Sequence, residues 1–204
     1  MIISHPSAAV FRYTMHHLFF LSGTRDLPML LLPGASALTA FRQQRLLQTL
    51  RAMQPSISAV SARYLHIVES ALSEAPEALQ ALLHYGDDYT GDEQGRLAVV
   101  VPRPGTISPW SSKATDIAHN TGLNDVRRIE RATLYWVAGA DALSDNDWQQ
   151  VTALLHDRMT EAVLNSPTET TVLFRQEAPR ELSAIDILAG GRDALVEANH
   201  SHGF

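Results

Sequence analysis

Leu97-Ala98-Val99-Val100-Val101-Pro102-Arg103-Pro104-Gly105-Thr106-Ile107-Ser108-Pro109-Trp110-Ser111-Ser112-Lys113-Ala114-Thr115-Asp116-Ile117-Ala118-His119-Asn120-Thr121-Gly122 reads in order as a strand, a stiff loop and a helix. The continuous apolar run Leu97–Val101 suits a buried strand. Two prolines then fix the backbone on either side of Arg103, and Gly105 allows a turn. Ser108 can cap the helix, with Pro109 at its first position, where the missing N–H costs nothing. Gly122 suits a left-handed residue just past its end. Free N–H groups at such a helix start, with the hydroxyls of Thr106, Ser108, Ser111 and Ser112 and the cations Arg103 and Lys113, suit an anionic group. The same residues also make a rigid turn, a well-capped helix and a lysine lying along its surface. Spacing alone leaves both readings open. A phosphate loop of the Gly-Lys-Ser/Thr type is absent.

Upstream, the same order of elements occurs once more. Met29–Leu32 is a short apolar run, and Pro33-Gly34 breaks it. Ser36 is placed to cap a helix reaching about Gln54, with Leu46, Leu50 and Met53 on one stripe. Residues 57–68 alternate as a strand: Val60, Ala62, Tyr64, His66 and Val68 point one way, Leu65 and Ile67 the other. A helix is expected over 74–85, and the acidic, glycine-punctuated stretch Gly86–Gly95 is a connector. Downstream of Gly122, residues 126–138 form a long strand with Tyr135 and Trp136 in its core. Ser144 and Asp147 have the spacing of a capping box and open a helix expected over 145–164, striped by Trp148, Val151, Leu155, Met159 and Ala162. The order strand–helix–strand–helix thus appears at 29–85 and again at 97–164. The expected fold is α+β, two such halves sharing an antiparallel sheet with helices on one face.

The ends differ in character. Residues 1–28 show no clear period and read as a tail or an upstream extension, with Met29 an alternative start. The body is expected over 29–165, followed by a linker segment over 166–204. Within that segment, residues 171–182 read as extended chain. Ser183 and Asp186 open a helix weakened by Gly190-Gly191. His84, His119 and His156 lie on three separate expected helices and read as core or capping histidines, not as a ligand cluster. Asp157 and Arg158 read as a surface or inter-helix ion pair.

The 204 residues contain no cysteine, so the chain holds no cysteine nucleophile, disulfide or thiolate metal site. A net charge of −6 argues against nucleic acid as a partner, and no apolar run is long enough to span a membrane. The cytoplasm is the expected compartment.

The run Val101–Asn120 is nearly identical to a segment of the N-terminal domain of large single-chain phosphoribosylformylglycinamidine synthases, the glutamine-dependent ligases of purine biosynthesis. The resemblance extends through Ala35–Arg42, Ala62–His66, Leu83–Gly86, Leu155–Glu161, Asp186–Leu188 and Gly191–Leu195. It covers roughly Met29–Asn199 and stops at about His200. It implies that the first domain resembles a fused dimer of the small PurS subunit of split versions of the enzyme, which agrees with the doubled unit. A linker domain, an ATP-using synthetase core and a glutaminase domain with a cysteine nucleophile would follow. ATP and Mg are implied for the whole enzyme, and no cofactor for this chain. The partners implied are the synthetase and glutaminase domains of the same enzyme. On this reading Arg103, Thr106, Ser108, Ser111, Ser112 and Lys113 face the synthetase core or its phosphorylated substrate. The alternative is a freestanding PurS-like subunit that recruits separate synthetase and glutaminase chains.

Overall fold

The computed structural model describes residues 28–175 and 184–203. Five strands, β1 (Met29–Ser36), β2 (Ala59–Ser70), β3 (Arg96–Pro102), β4 (Val126–Ala138) and β5 (Glu161–Leu164), form one sheet in the order β1-β2-β4-β3-β5. Every pairing is antiparallel. The helices α1 (Ala40–Met53), α2 (Glu77–Leu83), α3 (Pro109–Asn120) and α4 (Asp145–Thr152) alternate with the strands. The fold is α+β, with two strand–helix–strand–helix units as the sequence pattern implies. Their second strands, β2 and β4, lie side by side at the centre, and each unit's first strand flanks its own second.

The period-2 pattern sorts side chains cleanly between the two faces. On one face Val60, Ala98, Val100 and Val137 pack with Leu50 of α1 and with Trp148 and Val151 of α4. At the other end of that face, Leu30, Val68 and Ile129 pack with Leu79 and Leu83 of α2 and Ala118 of α3. Each helix pair therefore combines one helix from each unit. The opposite face carries Leu65, Ile67, Val99, Val101, Ala132, Leu134 and Trp136. It is covered by a 3-10 helix at Pro167–Phe174 that inserts Leu173.

Several boundaries differ from the expected ones. The first helix is capped by Thr39, whose side chain accepts from the Arg42 N–H, and Ser36 ends β1 instead. The second helix is shorter than 74–85 because Pro76 sets its start. The largest correction concerns the expected helix over 145–164. Ser144 does cap it, accepting from the Asp147 N–H, but it ends at Thr152. The Asp157 carboxylate accepts from the Met159 N–H and the Glu161 carboxylate from the Asp157 N–H, closing a tight turn. The chain then re-enters the sheet as β5, which the sequence reading lacked. Trp148, Val151 and Leu155 keep their stripe, whereas Met159 is 76% exposed and Ala162 lies in β5. Asp157 thus serves the turn and forms no ion pair with Arg158. Of the stretch expected as extended over 171–182, residues up to Phe174 are in the 3-10 helix, and 176–183 lie outside the described residues, as do the tail over 1–27 and Ser183. Asp186 caps α5 (Ile187–His202), which Gly191 kinks with φ 54° and ψ −141°.

Candidate functional site

The loop singled out from the sequence is fixed at both ends. The Arg103 N–H donates to the Thr160 carbonyl at 2.9 Å, which sets the 157–160 turn beside it. The Thr106 hydroxyl donates to the Arg103 carbonyl at 2.6 Å. Ser108 caps α3, its Oγ accepting from the Ser111 N–H at 2.9 Å. The same hydroxyl donates to Glu130 Oε2 at 3.0 Å, and the Ser108 N–H reaches Glu130 Oε1 at 3.5 Å. Glu130 is fully buried and ion-paired with Arg128. Arg128 also donates to the Thr106 carbonyl at 3.0 Å and to the Leu173 carbonyl at 3.1 Å. A carboxylate of the chain itself therefore sits at the start of α3, where the helix dipole favours negative charge.

The six expected site residues divide by exposure. Arg103, Thr106, Ser112 and Lys113 are exposed, Ser108 is half-buried, and Ser111 is fully buried with its hydroxyl unpartnered among the described residues. Neither Arg103 nor Lys113 has an ion-pair partner among those residues. Ile107, in the same loop, is 63% exposed.

A second cluster occupies the middle of the helix-bearing face, between the two helix pairs. The alternation over 57–68 predicts His66 and Tyr64 on one strand face and gives no sign of a chemical role for either. Arg131 is the direct cross-strand partner of His66. Its guanidinium lies 4.2 Å from the Tyr64 ring centroid and 4.7 Å from that of Trp110. It donates to the Tyr85 hydroxyl at 3.2 Å, and that hydroxyl lies 2.7 Å from His66 Nε2. Since the Tyr85 oxygen accepts from Arg131, its own proton is directed to His66 Nε2, which places the single N–H proton of the neutral imidazole on Nδ1. That Nδ1 is buried without a well-formed hydrogen bond. Burial first, and the Arg131 charge second, lower the His66 pKa to about 4, with the Leu32 backbone opposing weakly. The Trp110 ring stacks on His66 at 5.7 Å. No local period announces such a cluster, because its members come from two strands, a loop and a helix.

The family model for the formylglycinamide ribonucleotide amidotransferase N-terminal region matches residues 63–174, more than half of the chain. The chain belongs to this family. The matched span runs from within β2 to the end of the 3-10 helix, so it contains both the 103–113 segment and the Arg131 cluster. The family is that of phosphoribosylformylglycinamidine synthase, a purine-biosynthetic enzyme, as the sequence resemblance implied.

In this amidotransferase N-terminal domain His84, His119 and His156 stay apart. His84 follows α2, His119 Nε2 bonds the Val126 carbonyl at 2.7 Å, and His156 Nδ1 bonds the Thr152 carbonyl at 2.6 Å. Tyr135 packs against the sheet core as expected, and burial, then Glu161, push its pKa up to about 12. A cleft of about 640 Å³ lies at the β1 edge, lined by Leu32, Gly34, Arg63, Gln80, His84 and Tyr89 among others. Among the described residues of the domain, no helix is long and apolar enough to cross a membrane.

Proposed function

We propose that this domain is a non-catalytic interaction module of a cytoplasmic phosphoribosylformylglycinamidine synthase, the ligase that converts formylglycinamide ribonucleotide to its amidine with ATP and glutamine. The synthetase site, with its ATP and Mg, and the glutaminase cysteine would be supplied by other domains of the enzyme. The chain's lack of any cysteine fits that division of labour. The domain would dock on the synthetase core through the 103–107 loop and the exposed side of α3, helping to enclose the ammonia passed between sites.

The observation that supports this docking face is a loop that is rigid and yet uncovered. Arg128 and the Thr160 carbonyl pin it, while Ile107 and Met159 are 63% and 76% exposed, and the exposed cations Arg103 and Lys113 have no ion-pair partner among the described residues. Exposed apolar side chains on a fixed loop and its neighbouring turn, with exposed cations on the same segment, suit a protein contact better than solvent. The test is Lys113→Ala and Ile107→Glu in a complete synthase carrying this domain. The reading expects each to lower kcat/KM for the ribonucleotide or to weaken domain association by about tenfold or more. Unchanged turnover, substrate affinity and association in both variants would sink it.

A further inference from the structure

Arg131 presents a cation whose surroundings are incomplete. A guanidinium carries five N–H donors in a planar fork. Among the described residues one bond is made, to the Tyr85 hydroxyl, and no carboxylate comes within ion-pairing distance. The neighbouring Glu130 is no substitute: it projects to the other face of the sheet, where Ser108 and Arg128 occupy it. His66, directly opposite, is neutral at physiological pH and offers only its link through Tyr85.

The two aromatic rings define what could complete the site. Tyr64 and Trp110 both lie under 5 Å from the guanidinium carbon, so its contacts with them are through flat ring faces. What remains for further bonding is the edge, where the N–H groups point outward in the plane. Arg131, Tyr64, Tyr85 and Trp110 are all only partly buried, so that edge is reachable from solvent. Aromatic walls exclude water and lower the local dielectric, which strengthens an added charge-assisted bond. Trp110 is also held in place, because it stacks on the buried His66 ring.

We propose that Arg131 is the receiving group of an oxyanion site walled by Tyr64 and Trp110, which takes a phosphoryl or carboxylate group edge-on. Tyr85 holds the guanidinium in plane by accepting a hydrogen bond from it, and among the described residues no carboxylate competes for its other N–H groups. The site is separate from the docking loop and does not rest on the docking proposal.

The test uses the full chain at constant ionic strength near pH 7.5, with inorganic phosphate and acetate titrated separately against chloride. The readout is the indole N–H resonance of each of the three tryptophans, Trp110, Trp136 and Trp148. A saturable shift at Trp110, half-complete at or below about 10 mM anion, with Trp136 and Trp148 unmoved, supports the site. Saturation by phosphate but not acetate identifies a phosphoryl ligand, and the reverse identifies a carboxylate. Arg131→Gln is expected to weaken the response at least about tenfold, the worth of one charge-assisted bond, while Arg45→Ala on the exposed side of α1 leaves it intact. Should Arg131→Gln fail to fold, the resonances of the unaltered chain still decide. Equal movement at all three indoles, no saturable shift at Trp110, or binding retained in a folded Arg131→Gln would overturn the proposal.

Discussion

His66 and Arg131 face each other directly across the β2–β4 ladder, so a fully buried imidazole shares the centre of the sheet with a guanidinium. The pair is compatible only while the imidazole is neutral. In the unfolded chain His66 titrates near 6.5, but in the fold its pKa lies at about 4. The unfolded state therefore takes up the proton first as pH falls. Stability from this group is fully present above about pH 6.5 and is lost progressively between 6.5 and 4, by on the order of 3 kcal/mol in all. Urea unfolding across that range should show the slope, and His66→Gln should flatten it. An unchanged slope in the variant would assign the acid sensitivity elsewhere.

Glu130 is expected to be the most sensitive polar residue of the domain. It is fully buried and joined to Ser108 and Arg128, and Arg128 in turn holds the 103–107 loop and the 3-10 helix. Glu130→Ala deprives the partly buried Arg128 cation and the Ser108 hydroxyl of their shared carboxylate, and should cost about 3 kcal/mol. Ser108→Ala removes the helix cap and one of those partners, at about 1–2 kcal/mol. Because the two share a bond, the double variant should cost less than the sum, as chemical denaturation of all three would show.

Two glycines with the same positive φ separate strain from crowding. Gly105 and Gly139 both have φ of 83°. A Cβ at Gly105 meets nothing within 4 Å, whereas at Gly139 it would come within 2.1 Å of the Ser56 carbonyl oxygen. Gly105→Ala should cost about 1 kcal/mol, the penalty of a left-handed alanine. Gly139→Ala should cost roughly 1–3 kcal/mol more, because backbone must move. Equal melting temperatures for the two variants would contradict this.

The elements that the sequence made legible are those governed by local rules. The Ser108–Pro109 start, the Gly122 end with its φ of 87°, the Ser144 cap and the long alternating strand over Val126–Ala138 all follow from spacing. The doubled unit was visible for the same reason. The short strand β5 was not, because Met159 and Ala162 happen to continue the helical stripe of Trp148, Val151 and Leu155. A side chain bonding backbone at Asp157 outweighed that period. At the candidate site, the serines and cations of 103–113 were visible as a run. Glu130 and Arg131 were not, since adjacent residues on a strand serve opposite faces and only the sheet reveals which chemistry each joins.

The crosswise pairing of helices, α1 with α4 and α2 with α3, means that neither repeat owns an interior. Split at the connector, each half would carry two helices whose oily sides belong under the other half's partners. A body built from two like units is thus indivisible: order must arrive in both together, and damage under one unit's helix is felt by the other.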